Sequence, residues 1–111
     1  MYKIKKKFEI SSAHYLQLDY DSKCKNLHGH NWIVWVYCKS KELNRNGMII
    51  DFSEIKSFLQ KLDHLNLNAI LDFNPTAEHL ALFICKNIPF CYKVEIQESE
   101  GNIASYEEDE E

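Results

Sequence analysis

The chain of 111 residues has room for one domain. Its composition, with 45% hydrophobic and 27% charged residues, is ordinary for a globular protein, so a core can form without disulfide or metal staples. The sequence has no run of about 18 apolar residues, which excludes a membrane-spanning helix. The basic N-terminus has no apolar segment behind it and does not resemble a secretion signal. We therefore expect a cytoplasmic protein.

The formal net charge of −4 comes from the C-terminal end of the sequence. Residues 107–111 are all acidic, and we expect them to form a solvated tail. Residues 1–106, with 13 basic and 12 acidic residues, are predicted to form a single domain. They contain no basic stripe of the kind that binds nucleic acid, so we expect no nucleic-acid partner.

The four cysteines contain no Cys-x-x-Cys pair, and in a cytoplasmic chain they are expected to be free thiols. Cys38 and Cys85 lie inside apolar patterns, which indicates core positions. Cys24 differs, because it lies in a polar loop between Lys23 and Lys25, where a thiolate would be stabilised.

The predicted elements begin with two strands, over residues 2–11 and 30–39. Asp51 then caps a first helix, and Glu54 three places on completes a capping-box pattern. The buried stripe of that helix consists of Ile55, Phe58, Leu59 and Leu62. A second helix begins near 74–76, where a proline early in the first turn is well tolerated.

Two further strands are predicted, over residues 92–99 and 102–106, on either side of a turn at Gly101. The resulting order is β-β-α-α-β-β. This order indicates an α+β domain with antiparallel strands.

Three histidines point to a metal site. His28 and His30 are separated by one glycine, and because strand side chains alternate, both imidazoles point to the same face. Such a pair is weak evidence by itself. His14 follows the first strand, and it falls at the same end of the sheet if the first two strands pair as a hairpin. Three neutral imidazoles with an open fourth position are the ligand set of a catalytic zinc site.

The loop cysteine leaves two interpretations open. As a fourth ligand, Cys24 would close a structural zinc site; beside an open site, it would be a catalytic thiol. The spacing of Cys24 from His28 permits both geometries.

Two further groups carry acidic residues. Asp63 precedes His64 and can orient its imidazole for acid–base catalysis, although the same pair also suits the C-terminus of a helix. Glu98 should share the inward face of its strand with Val94 and Ile96. A carboxylate on that face needs a partner, which a ligand with adjacent N–H donors would supply.

These residues belong to six motifs that occur in one order along the chain, from about residue 6 to residue 106. The motifs are Ser12-Ala13-His14, Cys24-x-x-x-His28-Gly-His30, Ile50-Asp51-Phe52, Leu62-Asp63-His64-x-x-Leu67-Asn68, Asn74-Pro75-Thr76-x-Glu78-x-Leu80-Ala81 and Glu98-Ser99. In this order they resemble the 6-pyruvoyl-tetrahydropterin synthase/6-carboxytetrahydropterin synthase family. The short Cys-x-x-x-His-x-His spacing is similar to that of the bacterial 6-carboxytetrahydropterin synthases of queuosine biosynthesis.

The resemblance implies a T-fold, an α+β fold with an antiparallel sheet, two helices on one face and subunits that associate into a barrel. It implies a homo-oligomer, commonly a hexamer, with active sites between subunits. The implied reaction is that of a lyase, in which 7,8-dihydroneopterin triphosphate becomes 6-carboxy-5,6,7,8-tetrahydropterin, triphosphate and acetaldehyde. Two alternatives remain: a 6-pyruvoyl-tetrahydropterin synthase, which stops before carbon–carbon cleavage, and a non-catalytic binding module stabilised by zinc.

The resemblance also implies roles for individual residues. Zinc (Zn²⁺) would be bound by His14, His28 and His30. Cys24 would act as the catalytic base. Its partners in proton relay would be Asp63 and His64. The pterin would be held by Glu98, through a charge-assisted contact with its N–H groups.

Further substrate contacts are implied for Thr76 and Glu78. The chain departs from the family at Tyr15, after the first zinc histidine, where many relatives carry arginine. A positive group that could meet the triphosphate is therefore missing there. Lys23 and Lys25 are the candidate replacements.

Overall fold

The computed structural model describes residues 1–109 and contains a four-stranded antiparallel sheet in the order β1-β2-β3-β4. The strands are β1 (Tyr2–His14), β2 (His28–Ser40), β3 (Cys91–Ser99) and β4 (Asn102–Glu107). The helices are α1 (Phe52–Gln60), α2 (Leu67–Ile70) and α3 (Ala77–Asn87), and a single 3₁₀ turn, Lys23–Lys25, precedes β2. The α+β prediction is confirmed. The additional helix α2 is a single turn, too short for a periodic pattern to reveal.

The core lies between one face of the sheet and the helices. On β2, Trp32, Val34 and Val36 are buried while the residues between them are partly exposed, as the alternation predicts. The buried residues that α1 and α3 contribute include Ile55, Leu59, Leu80 and Ile84. Within residues 1–109, no helix combines the length and the apolar character needed to cross a membrane.

The opposite face of the sheet carries lysines over aromatic rings. Lys5 Nζ lies 4.9 Å from the ring centre of Tyr37, and Lys7 Nζ lies 5.9 Å from that of Trp35. These cation–π contacts place positive charge beside half-buried aromatic rings. The two faces of the sheet are therefore chemically distinct.

Both long helices begin at a residue whose side chain caps the backbone. Oδ1 of Asp51 accepts the N–H of Ser53 at 2.8 Å, as predicted for an N-cap, and Oγ1 of Thr76 accepts the N–H of His79 at 3.1 Å. The proline predicted in the first turn of the second helix, Pro75, instead precedes the cap, and its carbonyl bonds outside the helix. The threonine starts the helix because its hydroxyl can satisfy an unpaired backbone donor.

The predicted boundary of the acidic tail at residue 107 is wrong. Glu107 is the last residue of β4, and the N–H of Glu108 donates to the carbonyl of Tyr92 at 2.8 Å. The carboxylate of Glu108 also pairs with Nζ of Lys86 at 2.9 and 3.0 Å. Backbone pairing and this ion pair therefore hold the first two residues of the expected tail. Residues 110–111 lie outside the described part of the chain.

Candidate metal centre and active site

The pairing of β1 with β2 brings the three predicted histidines together. His14 lies directly opposite His28, and His30 lies opposite Ser12. Since opposite residues of an antiparallel pair point to the same face, the three imidazoles converge. Their ring centres are 4.6, 5.1 and 4.8 Å apart. Trp32, the next residue on this face of β2, packs edge-on against His14 and His30 at 4.8 and 5.1 Å.

Backbone carbonyls fix the orientation of two of these rings. Nδ1 of His14 lies 2.8 Å from the carbonyl of Pro75, and Nδ1 of His28 lies 2.6 Å from the carbonyl of Asn26. Each Nδ1 must therefore carry the proton and donate it, which leaves the lone pair on Nε2. Metal-binding histidines commonly use their second ring nitrogen in this way.

A carboxylate completes the cluster. Oε1 of Glu98 lies 2.9 Å from Nε2 of His30 and 3.4 Å from Nε2 of His14. Glu98 lies two residues after the buried Ile96, so strand alternation places it on the inward face of β3, beside the register shift between Gln97 and Ser99. Among residues 1–109, the ligand atoms of the three histidines and Glu98 lie within 4.8 Å of one another, whereas Cys24 does not belong to this group.

The protonation of the cluster suits a cation. Burial lowers the pKa of His14, which is fully buried, and burial likewise lowers the pKa of His30. Both rings are therefore neutral near pH 7 and can offer a lone pair. Although Glu98 is close, neither Nε2 has a hydrogen-bond partner of acceptable geometry within residues 1–109. Two buried, unpaired imidazole nitrogens beside a carboxylate fit Zn²⁺.

A cavity of about 650 Å³ opens beside the cluster. Its lining includes Cys24, His28, His30 and Glu98. A cavity of about 690 Å³, bounded by residues 40–54 and 89–90, has no histidine or cysteine in its lining. The candidate catalytic thiol and candidate metal ligands therefore line the same cavity, the one that contains Cys24.

Two asparagines, whose role the sequence did not reveal, hold the segment next to the thiol. The side-chain amide of Asn68 pairs with both the N–H and the carbonyl of Tyr15, at 2.8 and 2.9 Å. Asn74 does the same for Gln17, at 2.8 and 3.1 Å. Between them, the N–H of Leu16 donates to the carbonyl of Cys24 at 2.8 Å. Asn68 and Asn74 each belong to one of the six family motifs, and this membership was the only feature of the sequence that pointed to a structural role.

Asp63 and His64 lie apart from Cys24 in a single chain. Oδ1 of Asp63 accepts the N–H of Ser11 at 2.7 Å, and Oδ2 lies 3.5 Å from Nε2 of His64. His64 has a φ of 57°, and its side chain is 81% exposed. It lines a second cavity of about 450 Å³, which includes Ser11, Asn31 and His30 but not Cys24.

The remaining predicted residues surround the site less closely. Thr76 caps α3 directly after Pro75, the carbonyl partner of His14, and Glu78 is exposed in the first turn of that helix. Lys23 lines the cavity of Cys24, whereas Lys25 is exposed and absent from the described lining.

Ser12 provides a test of how the turn containing Asp63 is held. Its buried hydroxyl donates to the carbonyl of Leu62 and accepts the N–H of Leu65. We expect Ser12→Ala to lower the free energy of unfolding by about 1–3 kcal/mol, because two backbone groups lose their partner. Urea unfolding measures this change. Ser11→Ala is the matched control, since that hydroxyl is exposed and should contribute no more than about 0.5 kcal/mol. Equal effects of the two substitutions would contradict the assignment.

Comparisons with known proteins identify the family of the chain. Residues 3–109 match the family model described as 6-pyruvoyl tetrahydropterin synthase. A 6-carboxy-5,6,7,8-tetrahydropterin synthase from Synechocystis is 34% identical over 96% of this chain and 93% of its own length. A relative from Pyrococcus horikoshii is 46% identical over 56 residues, which are 50% of this chain and 35% of the relative.

The solved structure of Caenorhabditis elegans 6-pyruvoyl tetrahydropterin synthase has a TM-score of 0.76 to this chain at 26% identity. The alignment covers 97% of this chain and 96% of that one, which confirms the predicted T-fold. Since the family model and a relative of similar length both match nearly the whole sequence, the chain belongs to the 6-pyruvoyl tetrahydropterin synthase family.

Proposed function

We propose that the protein is a zinc-dependent lyase, a 6-carboxy-5,6,7,8-tetrahydropterin synthase that acts in the cytoplasm in queuosine biosynthesis. Its substrate is 7,8-dihydroneopterin triphosphate, and its products are 6-carboxytetrahydropterin, triphosphate and acetaldehyde. One observation carries the proposal: the ring nitrogens of three histidines converge beside a cavity that a cysteine also faces. The name of the Synechocystis relative supports the choice of product.

The residues of the site divide the chemistry between them. His14, His28 and His30 hold Zn²⁺, which supplies Lewis acidity to the side-chain hydroxyls of the substrate. Cys24, as a thiolate, removes a proton from the side chain of the bound pterin. The 3₁₀ turn and the N–H of Leu16 hold the backbone of Cys24 beside the cavity.

Glu98 binds the pterin ring in this proposal. Its carboxylate can accept two N–H groups of the ring, and it is 26% exposed, so a ligand in the cavity can reach it. The contacts with His14 and His30 keep the carboxylate near the metal ligands. Glu98 therefore lies within reach of both the cation and the pterin.

The proton relay requires a second subunit. Cys24 faces one cavity, while His64 lines another and Asp63 is bonded to Ser11 at the free edge of β1. A neighbouring copy of the chain brings its own His64, oriented by Asp63, to the thiol. The protein is accordingly a homo-oligomer, a hexamer by family resemblance, with active sites between subunits.

The triphosphate lies outside the ring-binding part of the pocket. Lys23, in the lining, supplies one positive charge, and Lys25 supplies a second from the next exposed position of the turn. Tyr15 offers no charge. Thr76 and Glu78, at the start of α3, provide further substrate contacts in this proposal.

Identification of the products tests the function. The purified zinc form is incubated with 7,8-dihydroneopterin triphosphate, and the products are separated by mass. Acetaldehyde and the 6-carboxy pterin are expected. A 6-pyruvoyl pterin without acetaldehyde would indicate the sister activity, which the C. elegans neighbour is named for. A protein that consumes no substrate and unfolds on chelation would be a zinc-stabilised binding module.

Glu98→Gln keeps the volume of the side chain but removes its charge. We expect it to weaken binding of the pterin product by about 2–5 kcal/mol, because the amide offers a donor to ring donors. Titration calorimetry measures this affinity, and metal analysis of the same sample should show zinc retained. Glu100→Gln, at an exposed position, is the matched control. Unchanged pterin affinity would exclude the anchor role, and loss of zinc alone would make Glu98 a metal ligand.

Mixing two inactive variants tests whether each active site takes Cys24 from one subunit and His64 from another. Cys24→Ala and His64→Ala are each expected to be inactive. After joint unfolding and refolding, roughly a quarter of the sites should combine an intact Cys24 with an intact His64, because the two residues come from different subunits. Turnover of the mixture is the measurement, and each variant refolded alone is the control. A mixture that forms mixed oligomers without regaining turnover would contradict the arrangement.

A further inference from the structure

Three cysteines that the proposed chemistry does not use lie together away from the histidines. Cys38 is near the end of β2, Cys91 begins β3, and Cys85 lies near the end of α3. All three are free thiols. Cys38 and Cys85 both influence the pKa of the Cys91 thiol, so Cys91 interacts with each of them. The cluster therefore places one central sulfur between two others.

The sheet register selects one pair from this cluster. Cys38 and Cys91 are direct partners across β2 and β3, and the N–H of Lys39 donates to the carbonyl of Phe90 at 3.1 Å. The register shifts between Tyr37 and Cys38, so the pair follows a β-bulge, and the bond from Lys39 to Phe90 flanks it on the other side, as in a non-hydrogen-bonded pair. In such pairs the Cα atoms are about 4.5 Å apart and the side chains are at their closest. A disulfide requires a Cα separation of about 4.4–6.8 Å.

Access to the pair is from one side. Cys38 is 0% exposed and Cys85 is 3% exposed, whereas Cys91 is only partly buried. A small reagent therefore meets Cys91 first. Once Cys91 has reacted, the nearest thiol across the strand pair is that of Cys38, its register partner.

We propose that Cys38 and Cys91 are a modification site, which closes to an intramolecular disulfide in the presence of a low-molecular-weight disulfide oxidant. The sulfur of Cys91 attacks the oxidant, forms a mixed disulfide and expels one thiolate. The sulfur of Cys38 then attacks the sulfur of Cys91, forms the bond between β2 and β3 and expels the second thiolate. The two thiol protons pass to the two expelled thiolates. The protein loses two electrons, and the oxidant gains them.

The pKa shifts of the thiols make the first step the slow one. The interaction with Cys38 and burial raise the pKa of Cys91, so its attack on the oxidant is slow near neutral pH. Burial raises the pKa of Cys85 to about 12, so Cys85 is also a poor nucleophile. Exposure and register, rather than acidity, therefore select Cys91 and Cys38.

Oxidation of the full chain with excess oxidised glutathione tests the pair. After an acid quench, the protein is denatured, its remaining thiols are alkylated, and the peptides are mapped by mass. We expect Cys38 and Cys91 in one cross-linked peptide pair, two hydrogen atoms lighter than the free peptides, with Cys85 alkylated. A dithiol reductant should reverse the change. The oxidised protein should also melt several degrees higher, because the bond closes a long loop of the unfolded chain.

Two variants sharpen the result. Cys85→Ser should still form the bond, whereas Cys91→Ser should yield no cross-link at Cys38. Cys24, in its loop, is followed as a separate peptide and should take no part. Alkylation of both Cys38 and Cys91 after oxidation of the wild-type chain would overturn the proposal. A bond from Cys91 to Cys85, or glutathione retained on Cys91, would overturn it as well.

Discussion

Removing one imidazole, in His28→Ala, is expected to strip the protein of zinc and of turnover while most of the fold remains. His28 contributes one of three Nε2 lone pairs, and its Nδ1 bond to Asn26 lies at the surface. The core elements do not depend on it, since the buried residues of β2 begin at Trp32. Loss of a group that only hydrogen-bonds to a metal ligand already lowers metal affinity by about 10–100-fold. Loss of a ligand itself should therefore lower the affinity at least about 100-fold.

Competition with a chelator measures the zinc affinity of this variant, and urea unfolding of the metal-free forms measures its stability. His79→Ala is the matched control, because His79 is an exposed histidine on α3. It should bind zinc as the wild type does. A His28→Ala protein that retains one zinc per chain at full affinity would show that the cluster does not hold the metal as proposed.

Replacing the loop thiol, in Cys24→Ala, is expected to abolish turnover and to leave zinc and substrate binding intact. A general base contributes about 10²–10⁴-fold to a rate, so a loss of that size is expected. Zinc should remain because the ligand atoms that converge within 4.8 Å come from His14, His28, His30 and Glu98. The geometry thus favours the catalytic interpretation over a closed structural site.

One variant separates the two interpretations through metal content and melting temperature. If Cys24 were a structural ligand, Cys24→Ala would lose zinc together with thermal stability. Cys91→Ser is the matched control, since it removes a partly buried thiol far from the cavity and should keep its turnover. Joint loss of zinc and stability in Cys24→Ala alone would assign Cys24 to the metal.

Much of the fold followed from local patterns. Alternation around Val34 identified β2 and its buried face, and Asp51 marked the start of α1. The meeting of His14 with His28 followed from the assumption of a hairpin, which the register bears out. Features that depend on tertiary contacts could not be predicted from the sequence. One such feature is the carbonyl of Pro75, which contacts the ring of His14 from 61 residues away in sequence.

The same limit explains what was missed around the site. The amide of Asn74 pairs with Gln17, 57 residues away in sequence, and no periodicity encodes such a bond. The separation of Cys24 from His64 arises because the turn after α1 pairs with the free edge of β1, through the bonds of Ser11 with Asp63 and His64. The ion pair of Glu108 likewise needs α3 beside β4.

The two tryptophans lie on opposite faces of the sheet, which gives the chain two independent optical probes. Trp32 is buried with its ring edge-on to His14 and His30, so its emission should respond when a cation draws electron density from those imidazoles. Trp35 lies on the other face beside Lys7. If a second subunit packs against this face, the surroundings of the indole ring become less polar and its emission should shift. The two single Trp→Phe variants, measured side by side, would let fluorescence follow metal loading in one and subunit association in the other without an added label.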